Sequence, residues 1–102
     1  LKPAFAPAYF SRGNAYDALD RYDRAIASFD VAIRLSPGYT TAYANRGVVY
    51  AKKGDQARAI ADFKRALILD PSDPVANDNL ARIGVPTPDR SARLGTGGPR
   101  MF

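Results

Sequence analysis

Cysteine, histidine and glutamate are all absent from this chain of 102 residues. Without cysteine there is no disulfide, thiolate nucleophile or sulfur ligand, and without histidine the commonest general base and metal ligand are missing too. The sequence is therefore read as that of a non-enzyme with no cofactor and no metal. Ser11, Ser28, Ser36, Ser72 and Ser91 have no histidine to activate them, and none is evidently paired with Lys52, Lys53 or Lys64. Asp17, Asp20 and Asp23 lie around a helix turn, where solvated charge is expected. Gly95, Gly97 and Gly98 neither follow a strand nor open a helix, so they do not make a phosphate loop. Long apolar runs are missing as well. The longest stretch without a charged side chain, Leu35 to Asn45, contains Pro37 and Gly38 and falls short of the roughly 20 apolar residues of a membrane span.

The net charge is +5, from 15 basic and 10 acidic residues, and the acidic ones are all aspartate. Arg90, Arg93 and Arg100 against Asp89 account for part of the excess within residues 86–102. In the body of the chain the signs alternate and form no basic run. A nucleic-acid partner is not expected, since RNA binding would require a continuous basic stripe.

What the sequence does contain is an internal repeat. A shift of 34 aligns residues 6–39 with 40–73, with 13 identities in 34 positions. Among them are Tyr9/Tyr43, Arg12/Arg46, Gly13/Gly47, Tyr16/Tyr50, Ala25/Ala59, Phe29/Phe63, Ala32/Ala66 and Pro37/Pro71. Leu1 and Pro3 fall in the same register before Leu35 and Pro37, so residues 1–5 read as the remnant of a preceding unit. The apolar spacing inside each unit is helical. It predicts helices over about 7–19 and 22–35, 41–53 and 56–69, and a shorter fifth over about 74–83. Gly54 is suited to the left-handed turn that ends a helix, Asp55 to capping the next, and Asp20 fills the former place in the first unit. Asp73 before Pro74 reads as an N-cap with proline at the first helical position. Gly13, Gly47 and the paired alanines stand where antiparallel helices would cross closely, with Tyr16, Tyr50, Phe29 and Phe63 filling the wider gaps.

Tyr9, Arg12, Gly13 and Tyr16 with Ala25, Phe29 and Pro37, repeated as Tyr43, Arg46, Gly47, Tyr50, Ala59, Phe63 and Pro71, resemble the tetratricopeptide repeat. The resemblance runs over residues 1–83. It departs from the family pattern in having Tyr where Trp is frequent, and Arg12 and Arg46 where Leu stands. Such an arginine is expected to lay its stem along the neighbouring helix and pair its head with an aspartate. The resemblance implies an all-α fold of antiparallel helical hairpins stacked as a right-handed superhelix, an α-α solenoid. Repeat 1 would span 6–39, repeat 2 would span 40–73, and 74–85 would form a C-terminal capping helix. Residues 86–102, rich in Pro and Gly and without periodicity, are expected to be a disordered tail.

The resemblance also implies that the first helix of each pair lines the concave side where partners bind. With the core positions assigned, that face offers Phe10, Ser11, Asn14 and Asp17, then Ala44, Asn45, Val48 and Lys52, then Asp78, Asn79 and Arg82. Ser11, Asn45 and Asn79 recur at intervals of 34. A column of amides can donate and accept along the backbone of an extended peptide, and it is similar to the asparagine ladder of peptide-binding members of the family. The family's two-carboxylate clamp is incomplete, because Phe10, Val75 and Asn79 stand where its basic residues belong. The expectation is a scaffold or adaptor that binds a protein or peptide, with hydrogen bonds from Asn14, Asn45 and Asn79, apolar contact from Phe10 and Val48, and charge selection by Lys52 and Arg82. The competing reading is a structural spacer or self-association segment of a longer array. Apolar surface around Phe5, Tyr9 and Tyr16 would then support a homodimer through the open N-terminal end.

Overall fold

Five α-helices and no strand make up residues 5–85, the part of the chain that this computed structural model describes. They are α1 (Ala6–Ala18), α2 (Tyr22–Leu35), α3 (Thr40–Lys53), α4 (Gln56–Leu69) and α5 (Pro74–Ile83). The expected boundaries hold to within one residue: α1 and α3 begin one position early and α1 ends one early. The tail expected over 86–102, and all but Phe5 of the expected remnant, lie outside the described residues.

One turn is used three times. After α3, Gly54 takes φ 90°, which a side chain rarely tolerates, and this lets the Asp55 N–H donate back to the Tyr50 carbonyl at 2.9 Å. After α1 the same bond runs from the Arg21 N–H to the Tyr16 carbonyl at 2.8 Å, with Asp20 at φ 58° in the glycine's place. After α5 it runs from Val85 to Leu80 at 2.9 Å, next to Gly84. Caps start two of the helices. Asp55 Oδ1 accepts from the Arg58 N–H at 3.1 Å and Asp73 Oδ2 from the Ala76 N–H at 2.9 Å, whereas Arg21 gives α2 no side-chain cap.

Side-chain size then decides how the helices meet. The α1–α2 and α3–α4 hairpins close around Phe29 and Phe63, both fully buried. Gly13 faces Phe29 and Gly47 faces Phe63 so closely that a Cβ there would fall 2.6 and 2.7 Å from the ring. Ala25, Ala32, Ala59 and Ala66 complete the tight crossings. The tyrosines differ from the expectation: Tyr16 and Tyr50 are half-buried at the margin, because their hydroxyls need water or a partner. α2 lies on α3, and α5 covers α4 through the buried Leu80.

Arg46 pairs as its position predicts, whereas Arg12 meets no aspartate among the described residues: Ser28 stands where the second unit has Asp62, and Arg12 Nε donates to its hydroxyl at 3.0 Å. The Nε and Nη2 of Arg46 donate to both carboxylate oxygens of Asp62 at 2.8 Å, and its Nη1 donates to Asp30 of the preceding hairpin at 2.7 Å. Hydrogen bonding to Asp62 raises the guanidinium pKa above its ordinary value, outweighing the desolvation that acts against it.

Candidate partner-binding face

The first helices of the successive pairs lie side by side, α1 against α3 and α3 against α5. Two hydrogen bonds cross from α3 to α1 and fix which side chains share this face. Asn45 Nδ2 donates to Asn14 Oδ1 at 2.9 Å, and about two turns further along α3 Lys52 Nζ donates to Asp17 Oδ1 at 3.0 Å. The amide pair leaves both donors of Asn14, the carbonyl oxygen of Asn45 and its second N–H without a bond among the described residues. Asn14 is exposed and Asn45 half-buried, so these groups sit at the border of protein and water.

The other expected site residues have mixed surroundings. Ser11 is exposed beside this pair on α1. Asn79 is engaged at both ends: its Nδ2 donates to the Val75 carbonyl at 2.8 Å and its Oδ1 accepts from Arg82 Nη1 at 3.2 Å. Arg82 is exposed and has no carboxylate partner among the described residues. Phe10 is half-buried, with its ring centroid 5.8 Å from Phe29 and 5.0 Å from Tyr39, and Val48 is packed on the core cluster that contains Phe63 and Leu80. Both therefore form floor, not free-standing contact.

Tyr39 has no place in the sequence-based site. It aligns with Asp73, and Phe10 aligns with Ala44, so a contact unique to the first unit leaves no repeat signal. A separate cavity of about 520 Å³ lies between α2, α3 and α4, lined by Asp30, Ile33, Arg46, Tyr50, Arg58 and Asp62 among others. No group of three or more metal-ligating side chains converges among the described residues, and no described helix is long and apolar enough to cross a membrane.

Hairpins that recur every 34 residues and stack through a shared helix face define an α-helical repeat solenoid. The family model for the tetratricopeptide repeat matches residues 4–74, and the chain belongs to that family. Among solved structures it is similar to the first TPR of Spaghetti (RPAP3) bound to the HSP90 peptide SRMEEVD, at 26% identity and a TM-score of 0.77 over 92% of this chain and 69% of that one. It is also similar to MamA in its crystal structure, at 25% identity and a TM-score of 0.73 over 91% of this chain and 56% of that one. No curated protein matches the sequence.

Proposed function

We propose that the chain is a protein-interaction module whose α1, α3 and α5 face receives an extended segment of a partner polypeptide. The observation that carries this reading is the Asn45–Asn14 bond, which turns two amides toward each other across α3 and α1 while leaving donors and an acceptor for a ligand. Ser11 and Asn79 continue the polar column along α1 and α5, Phe10 and Val48 floor it, and Lys52 and Arg82 set the charge that a ligand meets. Asp17 already holds Lys52, so charge selection rests mainly on Arg82. The solved neighbour with an HSP90 peptide supports peptide binding by this kind of array. With Phe10, Val75 and Asn79 at the basic positions of a carboxylate clamp, backbone recognition suits this chain better than an acidic terminus. The module does no chemistry of its own.

Fluorescence anisotropy with a small set of labelled, unstructured peptides tests the reading. Binding should be modest and tolerant of peptide sequence, and Asn45→Ala should weaken it by about 0.5–1.5 kcal/mol for each hydrogen bond lost. Equal affinity in the wild type and the folded variant would replace this reading by the spacer one. Self-association is the second reading, favoured by the exposure of Phe5 and Leu19 on the first hairpin. Sedimentation over a dilution series tests it.

A further inference from the structure

The cavity of about 520 Å³ between α2, α3 and α4 takes no part in the face shared by α1, α3 and α5. On α3 its lining residues, Arg46 and Tyr50, project from a different side of the helix than Asn45 and Lys52. Arg46 fixes its floor by holding both oxygens of Asp62 and one oxygen of Asp30. The groups around that floor are not tied in this way. Arg34, one turn beyond Asp30 on α2, lines the cavity, is exposed and pairs with no carboxylate among the described residues. Arg58, one turn before Asp62 on α4, is paired only with Asp55, which stands outside the lining. Ile33 and the half-buried ring of Tyr50 give the cavity an apolar wall. Asp30, Arg34 and Asp62 align with Lys64, Ile68 and Ser28, so the repeat builds its hairpins without them.

We propose that this cavity binds a small organic anion, an aryl phosphate or aryl carboxylate, with its oxyanion on Arg34 and Arg58 and its ring against Ile33 and Tyr50. A volume of this size suits a whole small molecule. The planar fork of a guanidinium matches the oxygens of a phosphate or carboxylate, and Arg34 has its fork free for one. Arg58 can join it at little cost, because the pair it leaves is exposed and such pairs contribute little. Asp55 still caps α4 through the Arg58 backbone N–H when the guanidinium turns away. Charge selects the sign of the ligand. Three guanidiniums line the cavity against two carboxylates, and Arg46 already holds both of these, so an anion meets free cations where a cation would be repelled. The Tyr50 hydroxyl, at the margin of the core, is placed to donate to the same ligand.

Phenyl phosphate is the probe. Titrated against the intact chain, it should bind saturably and shift the side-chain N–H resonances of Arg34 and Arg58 and the ring of Tyr50 together, while the amides of Asn14 and Asn45 stay in place. Benzoate should compete for the same resonances. Arg34→Gln, at an exposed position with no ion pair to lose, should leave the melting temperature unchanged and weaken binding about tenfold. Inorganic phosphate has the charge without the ring, and phenol the ring without the charge; each should bind about tenfold more weakly or worse. Peptide binding at Asn14 and Asn45 does not depend on these arginines, so the two proposals fail independently. Equal affinity of the wild type and the Arg34→Gln chain, equal binding of inorganic phosphate and phenyl phosphate, or shifts spread over arginines outside the cavity would overturn this one.

Discussion

Arg46 and Gly47 are neighbours in sequence and make opposite demands on their surroundings. Asp62 is nearly buried, and its carboxylate depends on Arg46 for both of its described side-chain hydrogen bonds. Arg46→Leu places the family's usual residue in the helix but strands that carboxylate, and the expected loss is about 3–5 kcal/mol in urea unfolding. Pairing it with Asp62→Ala should recover most of the loss, because the price of the single change is the orphaned charge and not the missing arginine. Gly47→Ala gains about 1 kcal/mol of helix propensity, yet its methyl meets the buried Phe63 ring at 2.7 Å. Overpacking at such a site costs typically about 1–3 kcal/mol, so thermal melting should show a net loss or at best no gain. Either residue type is legible in the repeat; which carboxylates Arg46 takes is not, since Asp30 and Asp62 both lie 16 residues away in sequence.

At the scale of the element, helix limits follow from local chemistry, and that is why they were legible. Gly54, Asp55, Asp73 and Pro74 act within a few residues of themselves, and no tertiary contact has to be known to place them. Asp20 shows the same turn under strain. Its φ of 58° costs an aspartate more than a glycine, so Asp20→Gly is expected to stabilise the domain by roughly 0.5–1 kcal/mol, less what the hydrogen bond from the Tyr22 hydroxyl contributes. Asp55 carries the pH dependence of this region. The side-chain hydrogen bond from Arg58, joined by its backbone N–H, holds the Asp55 carboxyl below its ordinary pKa. Its contribution is therefore present above the ordinary carboxylate range and is lost as pH falls through the depressed value. Asp55→Asn keeps a capping oxygen but not the charge. Its unfolding free energy should fall less between about pH 5 and pH 2 than that of the wild type.

At the scale of the whole molecule, repetition is both the source of the reading and its limit. Two units in register fixed the hairpins, their small-residue crossings and the face shared by α1, α3 and α5. The contacts that give this face its character break the register. Asn45 meets Asn14 across 31 residues and Lys52 meets Asp17 across 35, while Asn79 turns back onto its own helix. A column drawn at intervals of 34 runs over helices that do lie side by side, but it cannot foresee these pairings, which depend on how α1 and α3 slide past each other. The most direct test of the functional account is therefore to follow the side-chain amide resonances of the asparagines while an unstructured peptide is added. Asn14 and Asn45 should move together to saturation, while Asn77, whose amide is held by the Pro71 and Asp73 carbonyls, stays in place. Saturable binding with Asn14 and Asn45 unmoved would contradict the account.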